Sequence, residues 1–315
     1  MKPKPRIAVS LLSAVLIGAG LWFYTPDKSR VVLEAAYLRA PTDYLQVAGI
    51  RLHFRDTGPR DAKVLILLHG FGASLHTWEP WAEQLSGEFR VIRFDLPGFG
   101  LTGADPTGDY SDGRSMHVLL ALMGRLGVRR ASLIGNSLGG KIAWNFALQH
   151  PDRVDRLVLI SPDGFASPGF EYGKKPVLPL MVRLLPYVLP TSFLRMSLAP
   201  AYGDPKALTD ATVTRYRDLM LAPGVRAAML ARMQQVMLDD PQPLLRRIQA
   251  PTLLLWGEKD GMIPFSNAAD YARTLPHATL VALPGLGHVP FEESPMVALA
   301  PVRSFLASAQ PSVKP

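Results

Sequence analysis

The stretch Ala131–His150, ASLIGNSLGGKIAWNFALQH, leaves the chain little conformational choice. A short apolar run, Ser132, Leu133 and Ile134, leads into Gly135-Asn136-Ser137-Leu138-Gly139-Gly140. Beyond it Ile142, Ala143, Phe146 and Ala147 recur on one helix face, closed by Pro151. The pattern predicts strand, sharp turn and helix, with Ser137 at the apex. Such a turn forces its middle residue into strained backbone angles and brings strand and helix backbones very close. Glycines two before and two after remove the side chains that would collide. The consequence is chemical: the hydroxyl projects into open space, and the amide of Leu138, at the helix start, points to where a negative oxygen could form.

At 315 residues and 48% hydrophobic, the chain holds enough material for one large α/β domain with an insertion. It has no cysteine, which excludes disulfides, thiolate catalysis, cysteine-ligated metal sites and lipid attachment at a cysteine. The formal charge of +8 comes from scattered Lys and Arg, with no basic run and no aromatic interleaving, so nucleic acid is not an expected partner. The N-terminus carries an address. Met1-Lys2-Pro3-Lys4-Pro5-Arg6 is basic, and Ile7 to Tyr24 holds no charge and ends in Trp22, Phe23 and Tyr24. Residues 1–27 are therefore expected to form one N-terminal transmembrane helix, a signal anchor. The basic flank stays in the cytoplasm and the rest of the chain lies across a bacterial inner membrane, facing the periplasm. The alternative is a signal peptide cleaved near Gly18-Ala19-Gly20.

Residues 28–43 read as an amphipathic linker helix. Tyr44 to Val47 and Leu52 to Phe54 straddle Gly49 as a small hairpin. Continuous apolar runs then recur at Val64 to Leu68, Val91 to Phe94, Ser132 to Ile134, Leu157 to Ile160, Thr252 to Trp256 and Thr279 to Leu283. Such runs mark strands buried on both faces, and helical segments between most of them imply a mostly parallel, doubly wound sheet of eight strands. The interval 163–248 is too long for a crossover and opens with a proline-rich apolar tract. Two helical stretches follow, one with Val213, Tyr216 and Met220 on a face, the other with Val225, Met229, Met233, Val236 and Met237. This is expected to be a helical cap inserted after the sixth strand, above the carboxyl ends, with 44–162 and 249–315 forming the core. Six of the eleven methionines fall in the cap, which suits an adaptable apolar pocket; Met181 and Met233 are its expected wall residues.

With its flanking strand and helix, the Gly-x-Ser-x-Gly turn resembles the nucleophile elbow of the α/β-hydrolase superfamily. The resemblance implies partners for Ser137. His69-Gly70-Phe71-Gly72 follows the third strand like the family's H-G-x-G turn, which implies that the Phe71 amide pairs with that of Leu138 as an oxyanion hole. His69 itself is expected to brace this loop. Asp95-Leu96-Pro97-Gly98-Phe99-Gly100 is similar to the family's loop-fixing D-x-P-G-x-G tract. Trp256-Gly257-Glu258-Lys259-Asp260 matches the G-x-x-D position after the seventh strand, with Glu258 read as solvated. Gly287-His288-Val289-Pro290-Phe291-Glu292-Glu293-Ser294-Pro295 resembles G-H-x-P-x-x-E-x-P after the eighth. The order Ser137, Asp260, His288 is the one this fold uses. Asp163, after the sixth strand, is the alternative acid. His53, His76, His117, His150 and His277 are read as surface or capping residues.

A serine hydroxyl needs a base, and the base an acid to fix its tautomer. The resemblance thus implies acyl transfer through Ser137, His288 and Asp260, with no metal or organic cofactor. Serine at the elbow speaks against the family's dehalogenases and epoxide hydrolases, which carry aspartate there. Asn136 before the nucleophile looks like the C–C bond hydrolases of ring-fission products, whereas Val289 stands where those relatives usually have tryptophan; both residues are expected beside the pocket. The expected activity is carboxylic ester hydrolysis of the esterase or lipase type on small apolar substrates, with medium-length acyl groups. C–C hydrolysis and a cofactor-free haloperoxidase or perhydrolase are the alternatives.

Overall fold

The computed structural model describes residues 24–167 and 171–308. The expected membrane span thus lies outside the described residues, Tyr24 apart. Among the described residues, no helix is long and apolar enough to cross a membrane.

The first helix, α1 (Arg30–Tyr37), precedes an antiparallel hairpin of β1 (Tyr44–Val47) and β2 (Ile50–Thr57), with Val47 opposite Ile50. There follow β3 (Val64–Leu68), α2 (Glu79–Leu85), β4 (Arg90–Phe94), α3 (Asp112–Arg125), β5 (Ala131–Asn136), α4 (Leu138–Gln149) and β6 (Val154–Ile160). The insertion carries α5 (Leu180–Arg183), α6 (Thr191–Leu198), α7 (Asp210–Met220) and α8 (Val225–Gln235). The chain returns through α9 (Gln242–Leu245) to β7 (Thr252–Gly257), α10 (Ser266–Thr274), β8 (Ala278–Leu283), α11 (Pro290–Glu293) and α12 (Pro295–Ala307).

The eight strands form one sheet in the order β1-β2-β4-β3-β5-β6-β7-β8. β2 pairs antiparallel with β1 and β4, and every later pairing is parallel. Ile66, Leu67, Leu133, Ile134, Leu157 and Leu254 are fully buried, as strands covered on both faces require. The winding reverses across β3, because the chain passes from β4 on one side of it to β5 on the other. In open α/β sheets, ligands bind outside the carboxyl ends at such a point. Both the Ser137 turn and the Phe71 turn lie there.

Two expectations need correction. β2 runs to Thr57 rather than Phe54, because its second half pairs with β4. Arg55 is buried against Glu79, and Asp56 meets Arg90. Covered on both faces, β2 also buries His53, whose Nδ1 lies 2.7 Å from Asp95, and His76 packs beside it. Neither is a surface residue. The segment read as an amphipathic linker helix is helical over Arg30–Tyr37 and packs on the fold: Leu33 is buried, Arg30 donates to Leu101 O at 3.0 Å, and Lys28 meets Asp218 on α7 at 2.6 Å. It ties the insertion to the core.

In the insertion, α7 buries Val213, Tyr216 and Met220 as its spacing predicted. On α8 the buried residues are Val225, Arg226, Ala228, Met229 and Arg232, and the helix ends before Val236 and Met237. Arg232 displaces Met233 from the packed face because it pairs with Asp112 at 2.5 Å and donates to Tyr110 O. α9, expected within the cap, packs instead on the core helices α4 and α10.

Burial lowers the His76 pKa to about 3, the Asp95 charge opposing only in part. A depressed histidine pKa stabilises the fold fully above its unfolded value of about 6.5, and that stability is lost as pH falls toward 3. Melting temperature is therefore expected to decline steadily below pH 6.5, with roughly 4 kcal/mol at stake in this group by pH 3. Calorimetry from pH 7 to 4 on the parent and on His76→Gln checks this. The variant should start less stable and show a flatter slope.

Candidate active site

Ser137 sits at φ +51° and ψ −117°, the left-handed backbone that a strand turning straight into a helix imposes. The turn is pinned through its main chain: Ser137 N donates to Ile160 O at 3.0 Å, and its carbonyl accepts from Lys141 N and Asp163 N. The glycines do what the sequence predicted. A Cβ on Gly139 would stand 2.1 Å from Leu68 O, and one on Gly135 would stand 2.4 Å from Gly139 O. Only bare backbone lets α4 start against β3.

His288 reaches this turn from the loop after β8, and its Nδ1 lies 2.8 Å from Asp260 Oδ2. The Asp260 side chain is fully buried, and its other oxygen accepts from Met262 N at 2.8 Å and Ile263 N at 2.9 Å. With that carboxylate on Nδ1–H, the tautomer leaves Nε2 as the basic nitrogen. Ser137 and His288 open on one cavity without a direct hydrogen bond between them, a contact that such sites commonly tighten only around substrate. Asp163 also lines the cavity, but the acid on His288 is Asp260. Glu258 is exposed, as expected.

Phe71 and Leu138 border the same cavity. Leu138 is the first residue of α4, so its amide has no intrahelical acceptor. The Phe71 loop is braced by fully buried His69, whose Nδ1 donates to Gly70 O at 2.8 Å while Nε2 accepts from Leu96 N at 2.9 Å. Burial lowers the His69 pKa, which keeps this neutral tautomer. Asp95 fixes the neighbouring loop by accepting from Leu75 N and Leu101 N at 2.7 Å each, and a Cβ on Gly100 would collide with its carboxylate at 2.2 Å. Burial alone would raise the Asp95 pKa. The charge and hydrogen bond of His53 outweigh it and hold the carboxyl below the usual range.

The cavity encloses about 480 Å³, within the range of pockets that bury a small organic ligand. Among the described residues its wall is mainly apolar: Phe71, Leu138, Pro176, Val177, Leu178, Pro179, Val182, Met233, Val236, Met262 and Ile263. Its charged wall residues are Asp163 and Arg232. Of the four expected pocket residues, only Met233 lines it. Met181 points outward and is 56% exposed, because the short α5 turns Val182 inward instead. Val289 is buried and does not border the cavity. Asn136 is buried too, and its amide group donates to Ile160 O at 3.1 Å and His288 O at 3.0 Å. It joins the ends of β5 and β6 to the histidine loop.

Other supports come from the insertion and from the two glutamates after His288. Ala201 O accepts from His288 N at 2.7 Å, and Pro200 O accepts from Gly261 N at 3.1 Å, so one stretch of the insertion steadies both the acid loop and the base loop. Glu293 accepts from Gly203 N, Asp204 N and Gly287 N. Glu292 gathers Thr77, Tyr202, Tyr216 and Arg215. The E of the G-H-x-P-x-x-E-x-P pattern falls on Glu293, but its partners Gly203 and Asp204 lie about 90 residues away and become visible only in the fold.

Strand order, elbow and the Asp260–His288 pair define a class. Residues 63–295 match the family model described as the alpha/beta hydrolase fold, and the chain belongs to this family. It is 28% identical over 250 residues to a 2-hydroxy-6-oxo-6-phenylhexa-2,4-dienoate hydrolase of Burkholderia cepacia, covering 77% of this chain and 86% of that one. It is 29% identical to a pimeloyl-[acyl-carrier protein] methyl ester esterase of Aliivibrio salmonicida, covering 72% and 85%. Among solved structures it is similar to a bacterial membrane phospholipase A, with a TM-score of 0.71, 26% identity, and 96% of this chain and 98% of that one covered.

Proposed function

We propose that the protein is a serine hydrolase that cleaves carboxylic esters with apolar acyl chains. The carrying observation is the apolar cavity that ends on Ser137 and His288. Ser137 Oγ attacks the acyl carbon while His288 Nε2 takes its proton. Asp260 holds the imidazolium, and the amides of Phe71 and Leu138 receive the oxyanion. The alcohol leaves with the proton from His288. Water, activated by the same nitrogen, then attacks the acyl-enzyme and releases the acid.

C–C bond hydrolysis is the second reading, favoured by Asn136 and by the Burkholderia relative. A dienoate carries a carboxylate that would need a cation in the pocket. The cation among the described wall residues is Arg232, whose guanidinium is already taken up by Asp112 and Tyr110 O. Esters ask for no such partner. The full-length protein in detergent, given p-nitrophenyl esters of graded chain length, is expected to gain kcat/KM from acetyl to medium-length acyl groups. No turnover of any ester, with cleavage of a 2-hydroxy-6-oxo-dienoate, would overturn the assignment in favour of the second reading.

We also read residues 7–24 as a retained anchor, supported by their uncharged apolar run and basic flank. Mass spectrometry of the membrane-extracted chain should find the intact N-terminus. A mature chain starting near Leu21 would sink this.

A further inference from the structure

The outer side of the insertion carries an exposed apolar face that extends beyond the cavity wall. Over eleven consecutive positions it exposes Val177 at 88%, Leu180 at 71%, Met181 at 56%, Leu184 at 38% and Tyr187 at 59%. Large side chains so exposed and so close in sequence mark an interaction surface on a folded protein. The same segment also borders the cavity through Val177, Pro179 and Val182, so Val177 belongs to both the wall and the outer face. The apolar face is thus the outside of the pocket's rim. Exposed Lys174 and Lys175 precede these residues, Lys174 paired with Glu171, and exposed Arg183 lies among them.

The backbone says what lies beside it. Thr25 N donates to Tyr187 O at 2.8 Å, and Leu189 N donates to Thr25 Oγ1 at 3.1 Å. The chain therefore leaves the described fold at Tyr24, itself 54% exposed, at the edge of this face. The residues immediately before Tyr24 are the uncharged run from Ile7 to Phe23.

We propose that the face from Val177 to Tyr187 is a membrane-docking surface, which lies in the headgroup layer of the bilayer that holds the N-terminal run and turns the pocket rim toward lipid. The proposal rests on the anchor and ester-hydrolase readings above. Apolar side chains enter the acyl boundary, Tyr24 and Tyr187 sit at headgroup level, and the three cations meet anionic headgroups. Tethering beside the face makes its contact with lipid intramolecular, so a weak surface suffices. An ester would then reach Ser137 from the bilayer without its acyl chain crossing water.

Because the chain has no cysteine, one introduced thiol reports one place. Met181→Cys and, as reference, Asp61→Cys are labelled with a polarity-sensitive fluorophore in the full-length protein. Asp61 is exposed just before β3, at the amino ends of the parallel strands, whereas the pocket lies at their carboxyl ends. Both are mixed with vesicles of phosphatidylcholine and phosphatidylglycerol that contain brominated lipid. The Met181 label should shift to the blue and be quenched roughly threefold more than the Asp61 label. A Leu180→Asp/Leu184→Asp variant should lose roughly tenfold in hydrolysis of vesicle phospholipid, with little change on a soluble short-chain ester. A Met181 label as wet as the Asp61 label overturns the docking surface, whether or not the protein floats with the vesicles. Quenching at Met181 without hydrolysis of any ester leaves the surface standing and removes the ester-hydrolase reading.

Discussion

Replacing Ser137 by alanine is expected to lower ester turnover by roughly four to six orders of magnitude, leaving a residue of catalysis from the oxyanion amides and binding alone. The fold should tolerate the change. The hydrogen bonds by which Ser137 pins the elbow run through its main chain, and alanine at φ +51° is no more strained than serine. Steady-state kinetics on the preferred p-nitrophenyl ester, paired with a melting curve, makes the check. A fluorophosphonate should label the parent and not the variant. Loss of activity together with a large fall in melting temperature would contradict the expectation, because it would make Ser137 a structural residue.

Asp260→Asn is expected to cost roughly ten-thousand-fold in kcat, for a reason visible in the hydrogen bonds. The carboxylate accepts from three N–H groups at once: Met262 and Ile263 on one oxygen and His288 Nδ1 on the other. Asparagine offers one acceptor oxygen. Aimed at His288, its NH₂ group faces two backbone donors. Aimed at those donors, the NH₂ group faces Nδ1 and selects the tautomer with the proton on Nε2, which cannot take one from Ser137. The predicted signature is a kcat that recovers as pH rises, when hydroxide substitutes for the missing base, with KM changed little. A pH profile parallel to the parent's would indicate that Asp260 only supports the loop.

Much of this was legible in the sequence because it depends on local backbone sterics. Gly135 and Gly139 announced the collision they prevent, and the apolar runs announced strands covered on both faces. The order serine, acid, histidine followed from which strand each motif trails. Asp95 and His69 read correctly as braces for the same reason, since each acts on a loop within about one strand of itself.

The failures share a physical cause. Arg55, His53, His76 and Arg232 are polar residues in buried places, each paired with a group distant in the chain. Periodicity reads side chains one at a time and assigns such residues to the surface. Met181 and Val182 show the finer limit. Both are apolar neighbours on one short helix, and which of them faces the cavity depends on how the insertion docks.

The sequence by itself determined the elbow, the parallel sheet and the identity of the three polar residues that meet at its edge, because backbone sterics and burial patterns are local. Only the tertiary structure decided that Asn136 holds the histidine loop. It also decided that Pro200 and Ala201 steady both the acid and the base loops, and that Thr25 lies against Tyr187. Each of these contacts joins residues far apart in the chain, and no short-range pattern encodes where two distant segments will meet.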